Sequence, residues 1–221
     1  VTAPAGVINN ETVTVTVPAG ALVVTVDPNT VGLPAAELSP DGMSEVVEAS
    51  INPVKVFDNR AQDLGWALSA VSTNFVPCSV YIANSATGQI PSGCSTSYAP
   101  LTPKATPWAR AEISSFNLGV TPTLASSTTW STQPGTTFVP NTGVSVSAPV
   151  GADVKAPSAT AGTGLGVPRT IAVGMPGLAN AQGDIVGSGT GVAQISFRIT
   201  LKIPMVTQPG AYAADVTMTV I

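Results

Sequence analysis

Two cysteines are the residues whose chemistry the sequence indicates most directly. Cys78 and Cys94 enclose a Pro-, Gly- and Ser-bearing loop. The composition of the chain suits an oxidising, extracellular setting, where such pairs are oxidised. We therefore predict a Cys78–Cys94 disulfide. In the chain-entropy model, a bridge that closes a loop of about 15 residues contributes on the order of 3 kcal/mol. Two buried free thiols are the alternative.

A second group of chemically capable side chains is Asp58, Arg60 and Asp63. Two carboxylates and a neighbouring amide oxygen could hold Ca²⁺. The same residues suit a tight turn, in which Asp58 accepts backbone N–H bonds and Arg60 pairs with a carboxylate. We interpret them as a structural turn, and we expect no metal and no cofactor.

Catalytic machinery is not indicated by the remaining residues. The chain has no His, which excludes a Ser-His-Asp triad, a Cys-His dyad and imidazole metal ligands. Glu45 and Glu48 are close in sequence, but their spacing near a predicted turn does not fix the separation that a glycosidase pair needs. The glycine-rich stretch at 162–166 is followed by no Lys, as a phosphate loop would require. We predict that the protein is not an enzyme.

The composition also limits the partners. Only 9% of the 221 residues are charged, and the 8 Lys and Arg residues are spread over the chain. They form no basic patch that could follow a phosphate backbone, so no nucleic acid is expected. No apolar run approaches the roughly 20 residues of a membrane helix, so no membrane insertion is expected.

Alternating apolar and polar residues predict the elements that must position these groups. Strands are predicted at Gly65–Phe75, at Ser79–Ile82 and most clearly at Val192–Ile203, and a last strand starts at Tyr212. The last two should pair as a hairpin. Pro53 interrupts another strand and suits an edge or a bulge. The sequence predicts an all-β fold, an antiparallel β-sandwich or open barrel with long Ser/Thr/Gly/Pro-rich loops.

The N-terminal region alternates strictly with period two. Val13, Val15 and Val17 share one face of the run 12–17, and threonines occupy the other. We predict an N-terminal strand or donor arm over 1–17. Residues 18–221 are predicted to form a single β domain, with a loop-rich insertion at about 122–168. Because the chain starts with Val1 rather than Met, we expect that a leader has been removed.

Three tryptophans are candidates for contacts. Trp66 lies on the same strand face as Leu68 and is predicted to be core. Trp108 and Trp130 lie in Pro-rich or Ser/Thr-rich surroundings and are candidate exposed aromatic contacts for a sugar ring or a partner's pocket. The alternative for these two is a small cluster under a loop.

Three segments together resemble the WxL family of bacterial secreted cell-surface domains. The matching residues are Asp58 and Arg60 of a D-x-R turn, Gly65, Trp66 and Leu68 of a W-x-L strand, Leu201-Lys202-Ile203-Pro204, and Gly210 and Tyr212 of a closing G-x-Y strand. The family usually has a second W-x-L where this chain has Thr217-Met218-Thr219. The resemblance implies a β-rich fold, a secreted or cell-wall-associated protein, and non-covalent binding to Gram-positive peptidoglycan.

From these features we expect a non-catalytic extracellular structural protein of the bacterial cell surface. It would assemble with copies of itself into a filament or surface layer by β-strand complementation, with Val13, Val15 and Val17 as the inserted side chains. A peptidoglycan or cell-wall-binding WxL-type module is one alternative. An adhesin that binds a surface glycan or protein is another.

Overall fold

Short and long antiparallel strands make up most of the described chain. The computed structural model describes residues 20–26, 31–38, 42–60, 64–84, 94, 112–129, 139–140, 144–147, 164–176, 178–179, 185–186 and 191–221. In chain order the elements are β1 (Leu22–Val26), β2 (Glu37–Leu38), β3 (Ser44–Asp58), β4 (Trp66–Ser72), β5 (Val76–Pro77), α1 (Cys78–Asn84), a 3-10 turn (Ser115–Asn117), β6 (Leu118–Thr129), β7 (Val139–Pro140), β8 (Val144–Val146), β9 (Arg169–Gly174), β10 (Leu178–Ala179), β11 (Ile185–Val186), β12 (Gly191–Pro204), β13 (Tyr212–Ala213) and β14 (Val216–Val220).

Two open sheets stack to form a sandwich. Sheet A has the order β1-β3-β12-β6-β7, and β2 pairs with the same side of β3 as β1 does. Sheet B has the order β14-β4-β9-β8. β1 lies beside β14 and β6 beside β8, so the edges of the two sheets meet along two seams. The fold is therefore all-β and sandwich-like, as predicted.

Strand β12 is the centre of sheet A and follows its sequence pattern closely. Its inward side chains are buried: Ala193, Ile195, Phe197, Ile199 and Leu201. They pack in one core with the inward residues of β4 in sheet B, namely Trp66, Leu68 and Ala70. The period-two alternation thus identified both buried faces correctly, because each strand has one face on the core and one away from it.

A bulge interrupts β3 at Pro53. Between the paired positions Ile51 and Val54, β3 has two residues, Asn52 and Pro53, where β12 has only Ser196. Proline has no N–H to donate to the ladder, and a bulge leaves one residue unpaired. The predicted placement of Pro53 at an edge or a bulge is confirmed.

The predicted C-terminal hairpin is wrong. β12 pairs with β3 and β6, whereas β14 pairs with β4 in the other sheet. The turn at Gln208-Pro209-Gly210 does not fold the chain back onto β12, because the chain passes from sheet A to sheet B there. Alternation fixes which face of a strand is buried, but it does not specify the partner strand.

The strand predicted at Ser79–Ile82 is also wrong, because this segment lies in helix α1. A run of four residues is too short for its period to separate a strand from a helix. α1 follows β5 directly, and the Cys78 N–H donates to the Ala211 carbonyl next to β13. Of the helices in the described ranges, none has both the length and the apolarity needed to cross a membrane.

Candidate functional site

Asp58 and Arg60 form a closed corner at the end of β3. Arg60 Nε donates to Asp58 Oδ1 and Arg60 Nη2 donates to Asp58 Oδ2, each at 2.9 Å, and the Arg60 backbone N–H donates to Oδ1 at 3.1 Å. The Asp58 side chain is 1% exposed and the Arg60 side chain 22%. The hydrogen bonds to Asp58 raise the pKa of Arg60. This bidentate pair occupies the carboxylate oxygens that a calcium site would need.

The corner continues into the W-x-L strand. Arg60 Nη2 also donates to the Gly65 carbonyl. Gly65 has a φ of 69°, and a Cβ there would lie 2.6 Å from the Gly174 carbonyl oxygen. The Trp66 indole lies so close to Gly174 that a Cβ on Gly174 would approach Nε1 within 2.2 Å. Trp66 and Leu68 are buried in the core, so neither presents a surface to a ligand.

The closing G-x-Y feature also makes a local structural contact. The Tyr212 hydroxyl donates to the Gln208 carbonyl at 2.7 Å, across the exposed turn that contains Gly210. Partial burial raises the pKa of Tyr212. This hydrogen bond stabilises the turn between Gln208 and Tyr212, through which the chain passes from sheet A to sheet B.

The predicted disulfide is confirmed. Cys78 and Cys94 are bonded, with their Cα atoms 5.5 Å apart. The bridge ties the first residue of α1 to a position 16 residues further along the chain. Because α1 also carries Tyr81, the bridge helps to fix the wall of the groove described next.

A groove that no motif indicated starts at the seam where β1 lies beside β14 and continues beyond it. It consists of two cavities of about 560 and 390 Å³. Both are lined by the same four residues where they meet: Val31, Leu33, Phe75 and Ala214. We call the two cavities together the seam groove.

The described walls of the smaller cavity are largely apolar, whereas those of the larger one are mixed. Val24 and Val26 of β1 and Met218 of β14 line the smaller cavity. Leu201 and Ile203 of β12 line the larger one, which extends towards the β2 end of β3. The groove thus exposes the flank of the core between the two sheets.

Both edges of this seam are open in the described part of the chain. There, β1 pairs only with β3, and β14 pairs only with β4. The outer N–H and C=O groups of both strands therefore have no ladder partner among the described residues. An open edge beside an apolar groove can accept a further strand, since the backbone supplies hydrogen bonds and the groove accepts alternate side chains.

One polar pair lies within the groove. The Tyr81 hydroxyl on α1 donates to Asp215 Oδ1, and this bond is the main cause that raises the pKa of Tyr81 to about 12. The Asp215 backbone is held on its other side, because its N–H donates to Thr73 Oγ1 at 3.0 Å and its carbonyl accepts from the Thr73 N–H at 2.9 Å. The Asp215 carboxylate therefore has a fixed place in the lining.

Glu45 and Glu48 do not form an acid/base pair. Glu45 lines the larger cavity, whereas Glu48 accepts a hydrogen bond from Thr200 Oγ1 at 3.0 Å. Residues three apart on a strand point to opposite faces of the sheet. In the described ranges, no three His, Cys, Asp or Glu side chains are grouped as a metal site would require.

Several predicted site residues lie outside the described residues: Val13, Val15, Val17, Asp63, Trp108 and Trp130. Conversely, the sequence carried no signal for Tyr81 and Asp215, which are 134 positions apart and meet only in the folded chain. Protein-family models and curated proteins were both compared with the chain, and neither comparison finds a match.

Proposed function

We propose that the protein is a non-catalytic structural component of the bacterial cell exterior that assembles with copies of itself by β-strand complementation. In this proposal the run 12–17 of one copy enters the seam groove of the next. The observation that carries it is an apolar groove with two open strand edges, in a chain whose N-terminal run has apolar side chains on one face only.

The donor is shorter than the groove and fits within it. Six extended residues span about 20 Å, at roughly 3.3 Å each. The groove reaches from Val24, which pairs with Val56, to Glu45. The twelve residues of β3 from Glu45 to Val56 span about 35 Å, so the run 12–17 occupies little more than half of this length. Val13, Val15 and Val17 would bury their side chains there, while the threonines on the other face remain in solvent.

The anchor of β1 defines what a strand from the same copy could do. Gly20 and Ala21 are anchored beside Asn59, because Ala21 and Asn59 exchange hydrogen bonds. A hairpin from this anchor would limit residues 12–17 to the smaller cavity, which Val24 and Val26 line, and would leave the protein monomeric. A strand from a neighbour joins two copies instead, and repeated head-to-tail contacts of this kind do not close, so they build a filament or layer.

The disulfide supports the cell exterior as the site of this assembly. Such bonds persist in oxidising compartments and are rare in the cytosol. A low content of charged residues also suits a protein that packs against copies of itself.

Assembly can be tested with a matched pair of donor variants. Val15→Asp places a charge on the inserted face, whereas Thr14→Asp places the same charge on the solvent face. Wild type and Thr14→Asp should form large species in sedimentation and filaments or sheets in electron microscopy, and Val15→Asp should remain monomeric. Assembly by Val15→Asp, or monomeric wild type at all concentrations, would contradict the proposal.

A mixing experiment locates the acceptor. Val216 lines the smaller cavity and is 36% exposed, so Val216→Asp should disturb the groove with little effect on the fold. Val15→Asp retains an intact groove, and Val216→Asp retains an intact donor. Mixed together they should form a one-to-one heterodimer, although each alone is monomeric. Circular dichroism checks that both variants are folded.

A peptidoglycan-binding module is the second candidate, and it rests on the family resemblance. The D-x-R and W-x-L residues on which the resemblance rests form one continuous corner in this chain. Because these motif residues are buried or paired with one another, binding to the cell wall would involve other surfaces of the molecule. Co-sedimentation of monomeric Val15→Asp with purified peptidoglycan tests this function separately from assembly, and an adhesin would instead bind whole cells through another ligand.

A further inference from the structure

The smaller cavity of the seam groove carries its charge at one end only. Asp215 precedes β14 and Glu45 lies further away in the larger cavity, and no Lys or Arg is among their described neighbours in the lining. From Val216 to Met218, the lining contributed by β14 is apolar. An incoming strand therefore meets carboxylates only at the end where β14 begins.

The other end of the seam lies near the Asp58 corner. Ile221 exchanges both backbone hydrogen bonds with Ala67, two residues after Gly65, whose carbonyl accepts from Arg60. β1 begins at the same end, since Leu22 pairs with Asp58. The Asp58 carboxylate is 1% exposed and paired with Arg60, so it does not repel an acidic group that arrives at this end.

The donor segment also carries its charge at one end only. Glu11 is the only charged side chain in residues 1–26. It lies two positions before Val13, so in an extended strand it projects from the same face as the inserted valines. The other end of the run continues into uncharged Pro18 and Ala19.

We propose that the incoming strand lies antiparallel to β14, with Val17 towards Asp215 and Glu11 towards the Arg60 end of the seam. The opposite orientation would bring Glu11 towards Asp215 and Glu45, and like charges placed opposite each other across an interface disfavour it. Glu11, Asp215 and Glu45 thus determine the orientation of the donor strand in every contact between two copies. This inference rests on the proposed assembly and adds a polarity to it.

Photocrosslinking with a synthetic donor peptide tests the polarity. The receptor is full-length Val15→Asp, and the peptide comprises residues 8–19 with a photoreactive group at position 8 or at position 19. Mass spectrometry should locate the crosslinks of position 8 near 66–68 and 221, and those of position 19 near 45 and 208–215. The reverse pattern would overturn the inference while leaving the assembly proposal intact.

Charge-shifted peptides test the cause of the polarity. Moving the acidic residue to the other end of the same face, with Glu11→Thr and Ala19→Glu together, should weaken binding at least about tenfold, because the charge then meets Asp215. A receptor that also carries Asp215→Asn and Glu45→Gln should recover most of that loss. Glu11→Thr alone is the matched control and should bind within about threefold of the wild-type peptide.

The outcomes separate the two proposals. Equal affinity of the charge-shifted and wild-type peptides for the Val15→Asp receptor would overturn the electrostatic polarity. Failure of all peptides to bind would instead contradict the assembly proposal, and the polarity with it. A peptide with Val13, Val15 and Val17 changed to Ser should not bind in either case.

Discussion

The Asp58 corner lies at the start of β1 and the seam groove further along the same strand, and the two regions differ in how completely their groups are paired. In the corner, a carboxylate and a guanidinium bind each other through two parallel bonds, and a glycine and an indole fill the remaining space. In the groove, apolar side chains and the edges of two strands lack partners among the described residues.

This contrast separates the residues that build the fold from the surface that can recognise a partner. The motif residues are easy to recognise in the sequence because their types are distinctive, but in the folded chain they bind one another. The groove consists mostly of valine, leucine and other common core residues, and their arrangement gives it a capacity to bind.

The largest stability effect should come from the corner. Asp58→Ala removes the buried partner of Arg60, so the free energy of unfolding in urea should fall by about 3 kcal/mol. Asp215→Ala, the matched change in the groove, should cost less than about 1 kcal/mol, because that pair is exposed. Equal losses would remove the distinction between the two regions.

Loss of the disulfide should have an effect of similar size. Cys78→Ser combined with Cys94→Ser should lower the free energy of unfolding by about 3 kcal/mol, since the unfolded chain gains freedom. Hydrogen exchange should speed up in α1 beside the groove, but not at Ala67 near the corner. Reductant should reproduce the effect in wild type and have none on the double variant.

Two glycines test whether the corner is close-packed. Gly65 and Gly42 both have positive φ, 69° and 63°, but only at Gly65 would a Cβ clash. Gly42→Ala should cost about 1 kcal/mol from backbone strain alone. Gly65→Ala should cost about 2 kcal/mol or more in thermal or urea unfolding. Similar costs would mean that the space next to Gly174 can adjust.

The smallest effect should appear at high pH. The pKa of Tyr81 is raised from its ordinary value of 10 to about 12, chiefly by its bond to Asp215. A raised pKa means that the folded state favours the neutral phenol, so this stabilisation is complete below pH 10 and is lost as the pH rises towards 12. Wild type should lose more stability than Tyr81→Phe over this interval. Parallel stability curves would contradict the predicted coupling, and phenolate absorbance should assign the titration.

The sequence predicted what depends on local periodicity and missed what depends on long-range pairing. The buried face of β12 and the bulge at Pro53 follow from side-chain alternation and from a missing N–H. The partner of β14 does not, because strand pairing is decided by the packing of whole sheets. The hydrogen bond between Tyr81 and Asp215 could not be predicted from the sequence either, since neither residue is unusual in its own segment.

The bulge at Pro53 also reverses the parity of β3. Before it, the odd-numbered Val47 and Ile51 face the core, and after it the even-numbered Val54 and Val56 do. Because Ile51 and Val54 are three positions apart, an unbulged β3 with the same sequence would direct them to opposite faces of sheet A and carry Lys55 into the core. The bulge is therefore what allows both halves of β3 to bury their valines in one core.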